Sequence, residues 1–245
     1  MNFDELKLNK QLLSAIADLG YKKPTPIQEQ IIPKILDGHD VLGIAPTGTG
    51  KTAAFVLPIL RKLNYAQGDH PRALIFVPTR ELAVQVYENA VKYAVNTDIR
   101  CSRLIGGMGM QAQLKEVQKG VDLIVATPGR FMDIYSRGEI HLKKVQTLVL
   151  DEADKMMDMG FLPQLNSILE IIPNKRQNLL FSATFHPKVE ELTEEFLDFP
   201  VKIEVNVDMM VIDLVDQYLY RVPNAKTKLN LLVHYSVFMK IIVEF

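Results

Sequence analysis

The sequence predicts an α/β protein built on a predominantly parallel β-sheet with helices on both faces, and three observations carry that prediction. Short aliphatic and β-branched runs recur at residues 41–45, 73–77, 102–105, 123–126, 148–150, 179–181 and 201–205. They are apolar throughout rather than alternating, as strands buried on both faces should be. Helically spaced segments lie between most of them, among them 53–63, 81–95 and 189–196, and strand alternating with helix is the pattern of a parallel sheet. The Gly-rich, Pro-rich and polar words fall just after the apolar runs, at the carboxyl strand ends where such sheets bind ligands.

Taken in order, residues 1–36 are expected to be helical in two pieces, interrupted by Gly20 and by Pro24 and Pro26, because proline disfavours helix at the residue before it. The first strand is followed by APTGTGKT, Ala45 to Thr52, which departs from the usual phosphate-loop pattern only in Ala for the first Gly. Gly48 and Gly50 free the backbone to turn consecutive N–H groups around phosphate oxygens, and the helix that follows adds its positive end. Lys51 can reach the β- and γ-phosphates, and the Thr52 hydroxyl can ligate a bridging Mg²⁺. A plain Gly-rich turn with a surface lysine is the competing reading.

The second run leads into PTRELA (78–83), the third into Gly106 and Gly107, and the fourth into TPGR (127–130). After the fifth comes DEAD (151–154). There Asp151 can hold Mg²⁺ through water and Glu152 can deprotonate an attacking water, the alternative being an ordinary acidic helix start. The sixth leads into SAT, Ser182, Ala183 and Thr184, whose hydroxyls should emerge where Asp154 can accept from them, or cap the next helix. Residues 37–207 then form one domain, and 208–216 is the expected place for the next to begin.

Composition bounds the partners. The chain has 245 residues, 48% hydrophobic and 23% charged, with 28 Lys and Arg against 29 Asp and Glu. A net charge so near zero cannot draw in a polyanion through the whole-molecule field, so any nucleic-acid contact is a local patch. Cys101 is the only cysteine, which excludes an internal disulfide and fits a reducing compartment. No run is long enough to span a bilayer and the start lacks a secretory pattern, so a cytoplasmic monomer away from membranes is expected.

These words, in this order, resemble those of DEAD-box ATP-dependent RNA helicases, as does GYKKPTPIQ at 20–28, which is similar to the family's adenine-reading Q motif. The resemblance implies a RecA-like fold of the phosphate-loop NTPase class, with ATP and Mg²⁺ as cofactors and RNA as partner. It places Ala45, Pro46, Thr47, Gly48, Thr49, Gly50, Lys51 and Thr52 around the phosphates and Gln28 on the adenine edge. Phe3 would stack on the base, Tyr21 would wall the pocket, and the Lys23 backbone would face it. The competing reading is that Phe3 and Tyr21 are core and Gln28 a surface helix residue. Asp154, Ser182 and Thr184 would couple nucleotide state to movement of a partner domain. Arg80, Gly107, Thr127, Gly129 and Arg130 would hold RNA phosphates and sugars without reading bases, the alternative for each arginine being a salt bridge or a solvated charge.

Residues 208–232 look like a linker and the opening of a second RecA-like domain, and 233–245 depart from the family as an atypical, truncated tail. A complete second domain would need about 150 further residues. It would carry the arginines that contribute on the order of 10³ to 10⁵ in phosphoryl-transfer rate. The chain itself is therefore expected to bind nucleotide without appreciable RNA-stimulated turnover or unwinding. The alternative is a non-catalytic nucleotide- or RNA-binding regulatory fragment.

Overall fold

The structure, a computed structural model, describes residues 1–205 and 220–238. The chain divides into two compact units, Met1–Val207 and Asp208–Phe245. In the first, a 3-10 turn at Phe3–Leu6 precedes α1 (Lys10–Asp18) and α2 (Pro26–Leu36). There follow β1 (Val41–Ile44), α3 (Lys51–Leu63), β2 (Ala73–Phe76), α4 (Arg80–Tyr93), β3 (Cys101–Leu104) and α5 (Met110–Gln118). Then come β4 (Leu123–Ala126), α6 (Pro128–Tyr135), β5 (Thr147–Leu150), α7 (Ala153–Asp158), α8 (Leu162–Ile171), β6 (Gln177–Ser182), α9 (Pro187–Phe196) and β7 (Val201–Glu204).

The seven expected strands all form, β4 at the expected bounds and the others with an end shifted by one or two residues. β6 begins early, at the polar Gln177 and Asn178, because Asp40 accepts the Asn178 backbone N–H at 2.8 Å. The sheet is parallel throughout, in the order β3-β4-β2-β5-β6-β1-β7.

Side chains alternate across the pleat, so each continuous apolar run feeds two cores. Val41, Ile75, Val125, Val149 and Phe181 face one core, shared with α1, α2, α3 and α4. Leu42, Phe76, Ile124, Leu148 and Leu180 face the other, shared with α5 through α9. Phe3, Leu6, Leu12 and Ile16 join the first, so the leading helical segment is part of this unit rather than an appendage.

In the second unit, α10 (Ala225–Phe238) is opened by Asn224, whose side-chain oxygen accepts from the Thr227 N–H at 2.9 Å. The boundary expected between residues 232 and 233 falls within this helix. Of the expected linker and tail, residues 208–219 and 239–245 lie outside the described residues. Among the described residues no helix is long and apolar enough to cross a membrane.

Candidate functional site

The strand order divides the carboxyl edge of the sheet in two. β5, β6 and β1 are neighbours and carry DEAD, SAT and the phosphate loop; β3, β4 and β2 are neighbours and carry GG, TPGR and PTRELA. The edge has one step: Ile44 lies opposite Ser182, Leu150 opposite Phe76, and both Phe76 and Leu104 opposite Ala126, but Leu150 lies opposite Leu180, so β6 and β1 reach two residues beyond β5.

In the first half, Pro46, Thr47 and Gly48 are exposed while Ala45 is buried. The Thr49 hydroxyl donates to the Pro46 carbonyl at 2.8 Å, closing the turn. Gly48 and Gly50 both have positive φ, +85° and +93°, and Gly50 hands the chain to α3, aiming the first helical N–H groups at the loop. Lys51 is buried and donates to the Ala45 carbonyl at 2.6 Å, so its ammonium lies inside the loop. Thr52 follows, half-buried at the start of α3.

Asp151 directly follows β5 and is 3% exposed. Burial pushes its carboxyl up to about 6, and Lys51 offsets part of that shift. Such a carboxylate is stabilised by a cation, and it and the Thr52 hydroxyl are both hard oxygen donors of the kind Mg²⁺ takes, an ion that keeps several waters and needs only one or two protein ligands. Among the described residues no cluster of three or more His, Cys, Asp or Glu is assembled to hold a metal. Glu152 is buried and sits in the left-handed region, φ 55° and ψ 50°, a conformation that costs about 1–2 kcal/mol for a residue with a side chain. Its N–H donates to Asp151 at 3.0 Å and its carboxylate meets Lys155 at 2.9 Å.

Asp154 opens the link to SAT. One of its oxygens accepts from the Thr184 hydroxyl at 3.0 Å, the Thr184 N–H at 3.0 Å and the Ala183 N–H at 3.2 Å. Burial pushes this carboxyl up, but these bonds, the Lys155 N–H and the nearby Ser182 hydroxyl together hold it below the usual carboxylate range. The Ser182 hydroxyl is aimed mainly at the Thr184 carbonyl, 2.7 Å away, so of the two expected hydroxyls Thr184 makes the direct bond.

Gln28, 1% exposed, joins two motifs: its carboxamide accepts from the Thr25 N–H at 3.0 Å and donates to the Gly50 carbonyl at 3.1 Å. Phe3 is buried, edge-on to Tyr21 with ring centroids 6.1 Å apart. Tyr21 is 39% exposed and its hydroxyl meets that of Tyr93 at 2.9 Å. Lys23 is exposed.

In the second half, Arg80, Gly107, Thr127, Gly129 and Arg130 line one open cleft of about 590 Å³, together with Asp133, Met159 and Phe161. Arg80 is exposed, with its guanidinium lying over Gly106 and Gly107; a Cβ at Gly107 would come within 2.6 Å of it. Arg130 donates to the Met108 carbonyl at 3.2 Å and pairs loosely with Asp133 at 3.9 Å.

Sequence reasoning missed three groups here. The Thr25 hydroxyl is buried without a hydrogen-bond partner and points to where a Cβ at Gly50 would be, 3.1 Å away. Lys155 holds Glu152, which the i,i+3 spacing could have suggested. Gln113 pins the GG loop, with no signal in the sequence beyond a glutamine on a helix.

A family model described as DEAD/DEAH box helicase matches residues 25–192. The chain is 42% identical over 221 residues to the ATP-dependent RNA helicase CshA of Limosilactobacillus reuteri, covering 90% of this chain and 44% of that protein. To the ATP-dependent RNA helicase RhlB of Pseudomonas putida it is 42% identical over 232 residues, covering 91% of this chain and 58% of that one. It thus spans about half the length of such curated relatives. The crystal structure of a DEAD box protein from Methanococcus jannaschii superposes with a TM-score of 0.80 at 35% identity, covering 84% of this chain and 56% of that one.

Proposed function

The chain belongs to the DEAD/DEAH box helicase family, with the RecA-like fold of its solved relatives, and from that premise we propose that it is the ATP-binding domain of an RNA helicase. The observation that carries this is the convergence of Lys51, buried inside the phosphate loop after β1, with the desolvated Asp151 after β5, one strand removed across β6. A buried ammonium beside a buried carboxylate, with an exposed glycine-containing loop at the helix start, suits a polyanionic tail and its metal.

In this reading Ala45 through Gly50 wrap the phosphates, and Lys51 leaves the Ala45 carbonyl to meet the β- and γ-oxygens. Thr52 and Asp151 hold Mg²⁺, which when bound neutralises charge on the phosphate oxygens. The Glu152 carboxylate takes the proton of the attacking water. Gln28 presents one donor and one acceptor to adenine, with Phe3, Tyr21 and the Lys23 backbone around the base. Asp154, Thr184 and Ser182 pass the state of the γ-phosphate to a second domain. The cleft of Arg80, Gly107, Thr127, Gly129 and Arg130 grips the RNA backbone without reading sequence.

A cytoplasmic monomer is the proposed setting, in keeping with the single cysteine, Cys101, of the sequence. Calorimetry tests the core of the reading. ADP and ATP with Mg²⁺ should bind the folded chain and Lys51→Ala should remove that binding; no heat from either nucleotide would overturn the proposal.

A further inference from the structure

We infer that Gln113 is the positioning residue of the backbone-gripping cleft, an inference that rests on the proposed RNA-binding role of that cleft. β3 is the edge strand of the sheet, paired only with β4. The Leu104 carbonyl is used by β4's continuation, accepting from the Thr127 N–H at 3.1 Å. Backbone direction alternates along a strand, so the next residue, Ile105, turns its N–H and C=O toward the open edge, where no strand can satisfy them. Gln113, on α5 and 2% exposed, supplies both partners. Its side-chain oxygen accepts the Ile105 N–H at 2.9 Å, and its NH₂ donates to the Ile105 carbonyl at 3.1 Å. One side-chain amide thus replaces one residue of an absent strand.

The same NH₂ also donates to the Met108 carbonyl at 3.3 Å. That carbonyl is the one Arg130 binds, at 3.2 Å. Between the two anchored residues lie Gly106 and Gly107, on which the Arg80 guanidinium rests. Gln113 therefore fixes the start and end of the turn that seats Arg80 from one side and Arg130 from the other, although it does not line the cleft itself. Its contribution is to the spacing of two guanidiniums and a glycine backbone, a spacing that must match successive phosphates.

The test uses the 245-residue chain, a labelled single-stranded oligouridine, ADP with Mg²⁺, and amide hydrogen exchange. Gln113→Leu keeps the volume and removes the amide; Gln113→Met does so with a more adaptable side chain. Either should weaken oligouridine binding on the order of tenfold, as loss of such buried bonds does. ADP affinity should stay unchanged, and exchange at the Ile105 amide should be faster by at least roughly tenfold. Arg80→Ala is the control for the cleft. If Arg80→Ala weakens oligouridine binding and neither Gln113 variant does, the inference is wrong and the RNA reading stands. If the unaltered chain binds no oligouridine, both fall. If both Gln113 variants lose ADP and RNA binding together, the residue serves the fold alone and the inference fails.

Discussion

At the scale of single residues, Gly48 and Gly50 look equivalent in sequence and differ in surroundings. Both have positive φ, so an alanine at either costs about 1–2 kcal/mol in the left-handed region. A Cβ at Gly48 would meet nothing within 4 Å, whereas one at Gly50 would come within 2.5 Å of the Gln28 amide nitrogen. Gly50→Ala should therefore lower the thermal midpoint more than Gly48→Ala, and equal midpoints would show that the Gln28 contact is slack. Gln28→Ala removes the bonds to Thr25 and Gly50 at once. It should cost about 1–3 kcal/mol of stability besides relaxing the preference for adenine, which ADP and GDP titrations would compare. Glu152 belongs at this scale too: its left-handed backbone is stored strain beside the proposed chemistry, and nothing in the letters DEAD reveals it.

At the scale of elements, the amino end of the sheet is tied by a charge cluster opposite the site. Asp122, fully buried just before β4, accepts from Arg72 at 2.9 Å, from Arg100 at 3.0 Å, and from the Gln67 N–H at 3.0 Å. Burial alone would raise this carboxyl; the Arg100 guanidinium and the other donors outweigh it and hold it below the usual range. A depressed carboxyl contributes stability that is present above its unfolded pKa and lost as pH falls through the folded value. Asp122→Asn should therefore destabilise the domain by on the order of 3 kcal/mol at neutral pH, since Arg72 is left buried and uncompensated. The gap from the unaltered protein should narrow below about pH 4. Denaturant melts across that range would check it, and a gap that stays constant with pH would remove the charge from the explanation.

At the scale of the whole molecule, a formal net charge of −1 leaves no global attraction for RNA, so the proposed binding depends on few local cations. Each arginine lost should then be visible in the salt dependence. Arg80→Ala should reduce the slope of log affinity against log salt by about 0.7, the single-strand increment for one phosphate contact. An unchanged slope would take Arg80 off the phosphates. The chain should also bind ATP without appreciable RNA-stimulated hydrolysis, and rapid turnover would mean that it already holds every group the reaction needs.

How much was legible beforehand follows from the range of the forces involved. Strands, helices and motif words are local: a buried strand announces itself as a continuous apolar run, and a phosphate loop as glycines before a lysine, because backbone conformation there depends on adjacent residues. The order β3-β4-β2-β5-β6-β1-β7 is not local. It alone sorts six words spread from Ala45 to Thr184 into one group of three around a phosphate-loop lysine and another around a cleft. The links Gln28 to Gly50, Asp154 to Thr184 and Gln113 to Ile105 were decided there as well, since hydrogen bonds between distant residues exist only once packing has brought their elements together and shut out water.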